Sequence, residues 1–172
     1  MELANYKACI CEGSAENAII DILLDYDLMI FKREEMIEEE VLRCREGKKF
    51  EQKYLRKGFK DKISVIRILD SRHENFKLSK AYADKVDVIN VVTAPEIEML
   101  IIFNEDKYKE FKKSAKKPSS FCKEDLKMAE VKSYDFVKDY FSNQQVLINA
   151  IKEYRRIANV PKGEYSLSDL LK

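Results

Sequence analysis

Five carboxylates stand where they could do chemistry together: Glu12, Glu16, Asp70, Glu96 and Glu98. Glu12 ends a short apolar run and is followed at once by Gly13 and a helical pattern. Glycine permits a tight turn, and the start of a helix adds partial positive charge at the same spot. Asp70 ends the apolar run ISVIRIL, and Glu96 and Glu98 follow VDVINVV. If those runs are parallel strands, the acids gather at the carboxyl edge of one sheet, where open α/β folds bind ligands. Converging carboxylates raise one another's pKa unless a cation joins them. An oxygen-only set suits Mg²⁺ or Mn²⁺ rather than zinc, and a hard divalent ion held this way serves phosphodiester chemistry.

Plainer roles exist for several of these groups. Asp70 could be a helix cap, and Ser71/Glu74 and Thr93/Glu96 have the spacing of capping boxes, with Pro95 strengthening the second. Glu16 would favour the positive end of the helix dipole. Glu12 and Glu98 fit neither role. His73, the lone histidine, is read as packing or facing solvent, and a Cys11–His73 dyad lacks a third group to orient it. The phosphate-loop pattern of nucleotide-hydrolysing motors is absent from the sequence.

The elements that would position the acids follow from periodicity. Strands are expected at 7–11, 28–31, 63–69 and 86–92, the third β-branched and almost wholly apolar. Helices are expected at 14–24, 33–45, 50–56, from 71 to about 80, from 96 to 103, at 106–114, 133–141 and 142–158, the last opened by a Ser142/Gln145 box. Residues 116–120 read as a loop, and 163–172 as one short apolar turn. Alternation of this kind implies an α/β fold, Rossmann-like, with a roughly four-stranded, mostly parallel sheet between helices. The whole chain, 1–172, is read as a single domain with an α/β core at 5–104 and a mainly helical C-terminal extension at 105–172.

Composition bounds the rest. At 172 residues the chain can bury one substantial core, and 37% charged residues against 45% apolar ones mark a globular, heavily solvated protein. The four cysteines lack zinc-like spacing, and Cys9 and Cys11 share one face of a strand as small buried side chains. No apolar run reaches the length of a membrane span and no signal pattern is visible, so a reduced, cytoplasmic protein without membrane contact is expected. The net charge of +1 argues neither for nor against nucleic acid. Lys107, Lys109, Lys112, Lys113, Lys116 and Lys117 cluster, however, either as a solvated face or as a surface that tracks phosphates.

The segment ACICEGSAE resembles the first motif of Toprim domains, a strand ending at Glu-Gly with an acid three positions after the glycine: Glu12, Gly13 and Glu16 here. VIRILDSR resembles the second motif, with Asp70 as the first acid of Asp-x-Asp and Arg72 in place of the second. NVVTAPEIEMLIIF resembles the Pro-x-x-Glu segment of the RloB-like and overcoming-lysogenisation-defect nucleases, through Pro95 and Glu98. The resemblance spans about the first two-thirds of the chain. It implies a Toprim fold and a nuclease in which Glu12, Asp70 and Glu98 hold Mg²⁺ or Mn²⁺, with Glu12 and Asp70 catalytic and Glu16 an outer ligand or base. It further implies nucleic acid, DNA or RNA, gripped by the lysines at 107–117, a partner ATPase and a role in phage defence; a homo-oligomer is compatible with it. Arg72 puts a fixed positive charge where a ligand belongs, which leaves open a one-metal site or a degenerate module that binds nucleic acid or protein. A phosphohydrolase of small phosphate esters on a doubly wound sheet would share the same acids.

Overall fold

The computed structural model describes residues 1–56, 61–72, 75–158 and 160–172. Three strands, β1 (Tyr6–Cys11), β2 (Ile63–Leu69) and β3 (Val86–Val92), form a parallel sheet in the order β1-β2-β3. Ile10 lies opposite Arg67, and Arg67 opposite Asn90, so the carboxyl ends of all three strands are level. Strand alternation divides the core in two. Cys9, Cys11, Ile66, Ile68 and Val91 face one apolar cluster, while Ala8, Ile10, Ile63 and Val65 face another that includes Phe50 and Tyr54.

The larger cluster is built by α1 (Ser14–Asp25), α4 (Met99–Asn104), α6 (Pro118–Glu124), α7 (Tyr134–Tyr140) and α8 (Gln144–Ile157). Ala15, Ala18, Ile19, Ile22 and Leu23 are buried along α1, at the spacing that puts one stripe of a helix against a core. Helix α7 packs on α1 and α8 on α4, so the C-terminal helices complete the same core. The smaller cluster is covered by α2 (Gly47–Phe50), which continues as a π-turn over Glu51–Leu55. Two one-sided helices, α3 (Lys80–Ala83) and α5 (Tyr108–Ser114), lie outside these layers with no fully buried residue.

Several expectations are corrected. Residues 28–31 do not form a fourth strand: Met29 makes a single antiparallel bridge with Leu171, and Ile30 N–H donates to Leu170 O at 2.9 Å. Met29 and Phe31 are buried in the larger core, which holds this stretch against the chain's last residues rather than in the sheet. Nor are residues 33–45 a helix. They form 3₁₀ turns at Arg33–Glu35 and Ile37–Glu39, with Glu38 and Glu39 in the left-handed region, and then run extended. Met36 and Leu42 bridge to Lys7 and Ile10, so burying apolar side chains along the free edge of β1 outweighs helix propensity.

The expected helix from 71 falls partly on His73 and Glu74, which lie outside the described residues; 75–79 are not helical and only the single turn α3 follows. The Thr93/Glu96 capping box does not form. The chain turns through a cis Ala94–Pro95 peptide and enters α4 only at Met99, with Glu98 at the cap. Residues 118–120 open α6, with Pro118 in its first turn, instead of extending a loop. Asn143, not Ser142, caps α8, its Oδ1 accepting from Gln145 N–H at 3.0 Å. The short turn expected near the end is present at Leu167–Leu170. Among the described residues no helix is long and apolar enough to cross a membrane.

Candidate metal centre

The parallel topology delivers the acids to one place. Glu12, Glu16, Asp70 and Glu98 line a cleft of about 160 Å³, together with Arg45, Lys132 and the backbone at the start of α1. Each acid is positioned by a different device. Glu12 and Asp70 leave the ends of the neighbouring strands β1 and β2. Glu16 sits in the first turn of α1, and its carboxylate folds back against Gly13, where a Cβ would overlap it. Glu98 caps α4 and is only 3% exposed.

Electrostatics in the cleft are unbalanced. Asp70 Oδ1 and Glu98 Oε2 are buried and accept no hydrogen bond among the described residues. A buried, unsatisfied carboxylate oxygen costs about 1–3 kcal/mol or more, so this arrangement needs a reason. Burial first, then the charges of Glu16, Glu98 and Glu96, pushes Asp70 up from 3.8 to about 8. Burial likewise pushes Glu98 up to about 6, with Glu96 and Glu16 adding to the rise and Lys132 opposing it.

Two cations stand against the acids. The Lys132 ammonium is 3.5 Å from Glu96 Oε1 and 3.7 Å from Glu98 Oε1. Burial works against its charge, but Glu98, Glu96 and Asp70 outweigh that and raise its pKa. On the other side of the sheet edge the buried Arg67 guanidinium lies 4.0 Å from Glu12 Oε1, 3.4 Å from Asn90 Oδ1 and over the Phe76 ring. Glu96 does not serve the helix of its own segment: its Oε2 accepts from Ser119 N–H at 2.8 Å, in the first turn of α6.

Among the described residues no three His, Cys, Asp or Glu side chains are gathered closely enough to hold an ion as they stand. The donor chemistry nonetheless fits a hard cation: all the groups are oxygens, two of them buried without partners, and their mutual repulsion is what a divalent charge would relieve. Glu12, Glu16, Asp70 and Glu98 would have to draw closer together to hold one.

Arg72 does not enter the cleft. Its Nε donates to both oxygens of Glu164, at 2.7 and 2.9 Å. The lysine cluster is dispersed along and beyond α5. Lys107 pairs with Glu110 at 3.0 Å, Lys116 with Glu124 and Asp125, and Lys112 lies over the Tyr108 ring. None of Lys107, Lys109, Lys112, Lys113, Lys116 and Lys117 is among the residues that line the acidic cleft. Cys9 and Cys11 are fully buried beside the first core, as their shared strand face implies.

Four cations near the cleft are harder to read from the sequence. Arg67 leaves a signal, a single charge inside an apolar strand. Arg43 and Arg45 leave a weaker one, alternating with Leu42 and Cys44 at strand period. Lys132 leaves none, because it lies in the connection between α6 and α7. No protein-family model, no curated protein and no solved structure matches the chain.

Proposed function

We propose that the chain is a Toprim-like nuclease that uses Mg²⁺ or Mn²⁺ to cleave phosphodiester bonds in nucleic acid. What carries the reading is the pair of buried, unpartnered oxygens, Asp70 Oδ1 and Glu98 Oε2, in one cleft with Glu12 and Glu16 at the carboxyl end of a parallel sheet. Glu12, Asp70 and Glu98 would hold the ion and Glu16 would stand outside them as a further ligand or base. Such an ion supplies, when bound, a Lewis acid for a phosphate oxygen and a lowered pKa for an attacking water. Asp70, kept largely protonated at neutral pH by burial and its neighbours, gives up that proton when a cation joins the cleft. Arg67 steadies Glu12 from behind, and Ser119 N–H holds Glu96 away from the ligand set. A partner ATPase, a homo-oligomeric assembly and a place in phage defence belong to the same proposal and rest on the motif resemblance alone.

A second reading has its own observation. Lys132 already bridges Glu96 and Glu98, as a built-in cation would in a degenerate site that binds nucleic acid or protein without cutting. Calorimetric titration of Mn²⁺ into the wild type and into Glu12→Gln/Asp70→Asn separates the two. Binding in the wild type that vanishes in the double variant, followed by metal-dependent cleavage of an oligonucleotide, supports the nuclease. A folded wild type that takes up no Mn²⁺ rejects it in favour of the binding module.

A further inference from the structure

A carboxylate cleft repels phosphate, so a nucleic-acid strand needs positive charge at the rim as well as a cation within. The sheet edge provides it. Leu42 N–H donates to Cys9 O at 2.8 Å and Cys11 N–H donates to Leu42 O at 3.1 Å, which fastens the extended segment after residue 40 along β1. Leu42 is buried there, Cys44 is half-buried, and Arg43 and Arg45 are exposed. Arg43 reaches the first residue of α1, its Nη2 donating to Ser14 Oγ at 3.2 Å. Arg45 lines the cleft itself, yet makes no hydrogen bond or ion pair with any described residue, although four carboxylates line the same space. Its fork of donors is unoccupied.

Helix α1 begins beside these arginines at Gly13, where the Glu16 carboxylate folds back over its first turn, so the two arginines carry the positive charge of this rim. Inside the same cleft, Glu98 is 3% exposed with Oε2 unpartnered, which marks the place of the cation that would have to accompany the anion. We propose that Arg45, with Arg43 beside it, is the phosphate grip of this cleft, receiving a phosphodiester group of a nucleic-acid strand at the start of α1. The inference rests on the phosphodiester reading above and moves the grip from the lysines of 107–117 to the edge of β1. A planar guanidinium meets two phosphate oxygens at once, which an ammonium cannot do.

Fluorescence anisotropy with labelled single-stranded DNA and RNA of one short sequence tests it, with Ca²⁺ replacing Mg²⁺ or Mn²⁺ to hold back cleavage. Arg45→Gln should weaken binding about tenfold and lower the slope of log K against log salt by about 0.7, the value of one phosphate contact to a single strand. Arg45→Lys should recover only part of the loss. The strand whose binding falls more in Arg45→Gln is the one the cleft takes. A triple Lys109→Gln/Lys113→Gln/Lys117→Gln variant is the comparison. Loss in Arg45→Gln no greater than in that triple variant, with the wild type binding well, overturns the grip and leaves the nuclease reading standing. A wild type that binds neither strand overturns the grip, and one that in addition takes up no Mn²⁺ overturns both. Arg45 is exposed, so a thermal melt matching the wild type shows that its variants are folded.

Discussion

Replacing Lys132 with methionine removes the cleft's nearest ammonium and keeps most of its apolar stem. The magnitude follows from geometry. Two unit charges at about 4 Å attract by about 1 kcal/mol in water and about 4 kcal/mol at an effective dielectric of 20. Lys132 stands 3.5 and 3.7 Å from Glu96 and Glu98, but its side chain is 50% exposed while that of Glu98 is 3% exposed. Screening at the lysine end brings the net contribution down to about 1–2 kcal/mol. Without metal, Lys132→Met should therefore melt about 2–8 °C lower at neutral pH, and Glu98 should titrate above its present value of about 6. With metal the sign reverses. An ion that no longer competes with a resident ammonium should bind about five- to thirtyfold more tightly. Differential scanning fluorimetry with and without Mn²⁺, alongside calorimetry, reads both effects, and Lys132→Arg should stay near the wild type in each. A Lys132→Met protein that melts with the wild type and binds Mn²⁺ no better would refute the idea that Lys132 is the counter-charge of the carboxylates.

Asp70→Asn should stabilise the metal-free protein by about 1–2 kcal/mol at pH 7, allowing for partial exposure, while abolishing Mn²⁺ uptake; a melting curve and a titration check the two halves. A raised carboxyl pKa means that the folded state holds more protons than the unfolded one, so the stability linked to Asp70 and Glu98 is complete below about 4 and is lost as pH rises through about 6 and about 8. The metal-free melting temperature should accordingly fall between pH 5 and pH 8, Mn²⁺ affinity of the wild type should rise over the same interval, and Asp70→Asn should flatten the melting profile. Gly13→Ala should cost less than about 1 kcal/mol of stability, because the overlapping atoms are the movable end of Glu16, but should weaken Mn²⁺ binding by displacing that carboxylate. Glu164→Gln should leave the melting temperature nearly unchanged, since an exposed pair contributes about 0–1 kcal/mol, yet speed hydrogen exchange at Val92 N–H, which donates to Tyr165 O at 2.8 Å.

The sheet was legible because β2 is an almost continuous apolar run and β3 is rich in β-branched residues, the pattern of strands in a parallel sheet. The same logic brings Glu12, Asp70 and Glu98 to a single cleft, since parallel strands end on one edge. Residues 33–45 misled because their Glu and Arg content favours a helix locally, whereas Met36, Ile37 and Leu42 are buried only if the chain lies along β1. Arg45 owes its position to that edge contact, so misreading the segment also hid the cation at the cleft's rim. Lys132 was out of reach for a different reason. Packing of α7 on α1 carries it to the acids from far along the chain, and nothing near it in sequence signals a site.

Arg72 shows how one substitution in a motif can be absorbed by the fold. On the Toprim-like reading its position belongs to a second aspartate, and an arginine facing the ligands would cancel the charge that attracts an ion. The side chain instead turns to Glu164, immediately before Tyr165, whose carbonyl accepts from Val92 N–H and whose bridge to Val91 extends the open edge of β3. Tyr154 makes a second tie, its hydroxyl donating to Ala94 O at 2.9 Å in the turn that leads to Glu98. The position thus helps to seat the C-terminal segment against the sheet, while Glu12, Glu16, Asp70 and Glu98 remain together in the cleft without it. With Asp70 ionised, the four carboxylates of the cleft bring four negative charges and Lys132 and Arg45 two positive ones, a balance that one divalent ion would complete. A single-ion centre is therefore the form in which the proposed chemistry fits this chain, and a Mn²⁺ stoichiometry of one per chain is the result that it requires.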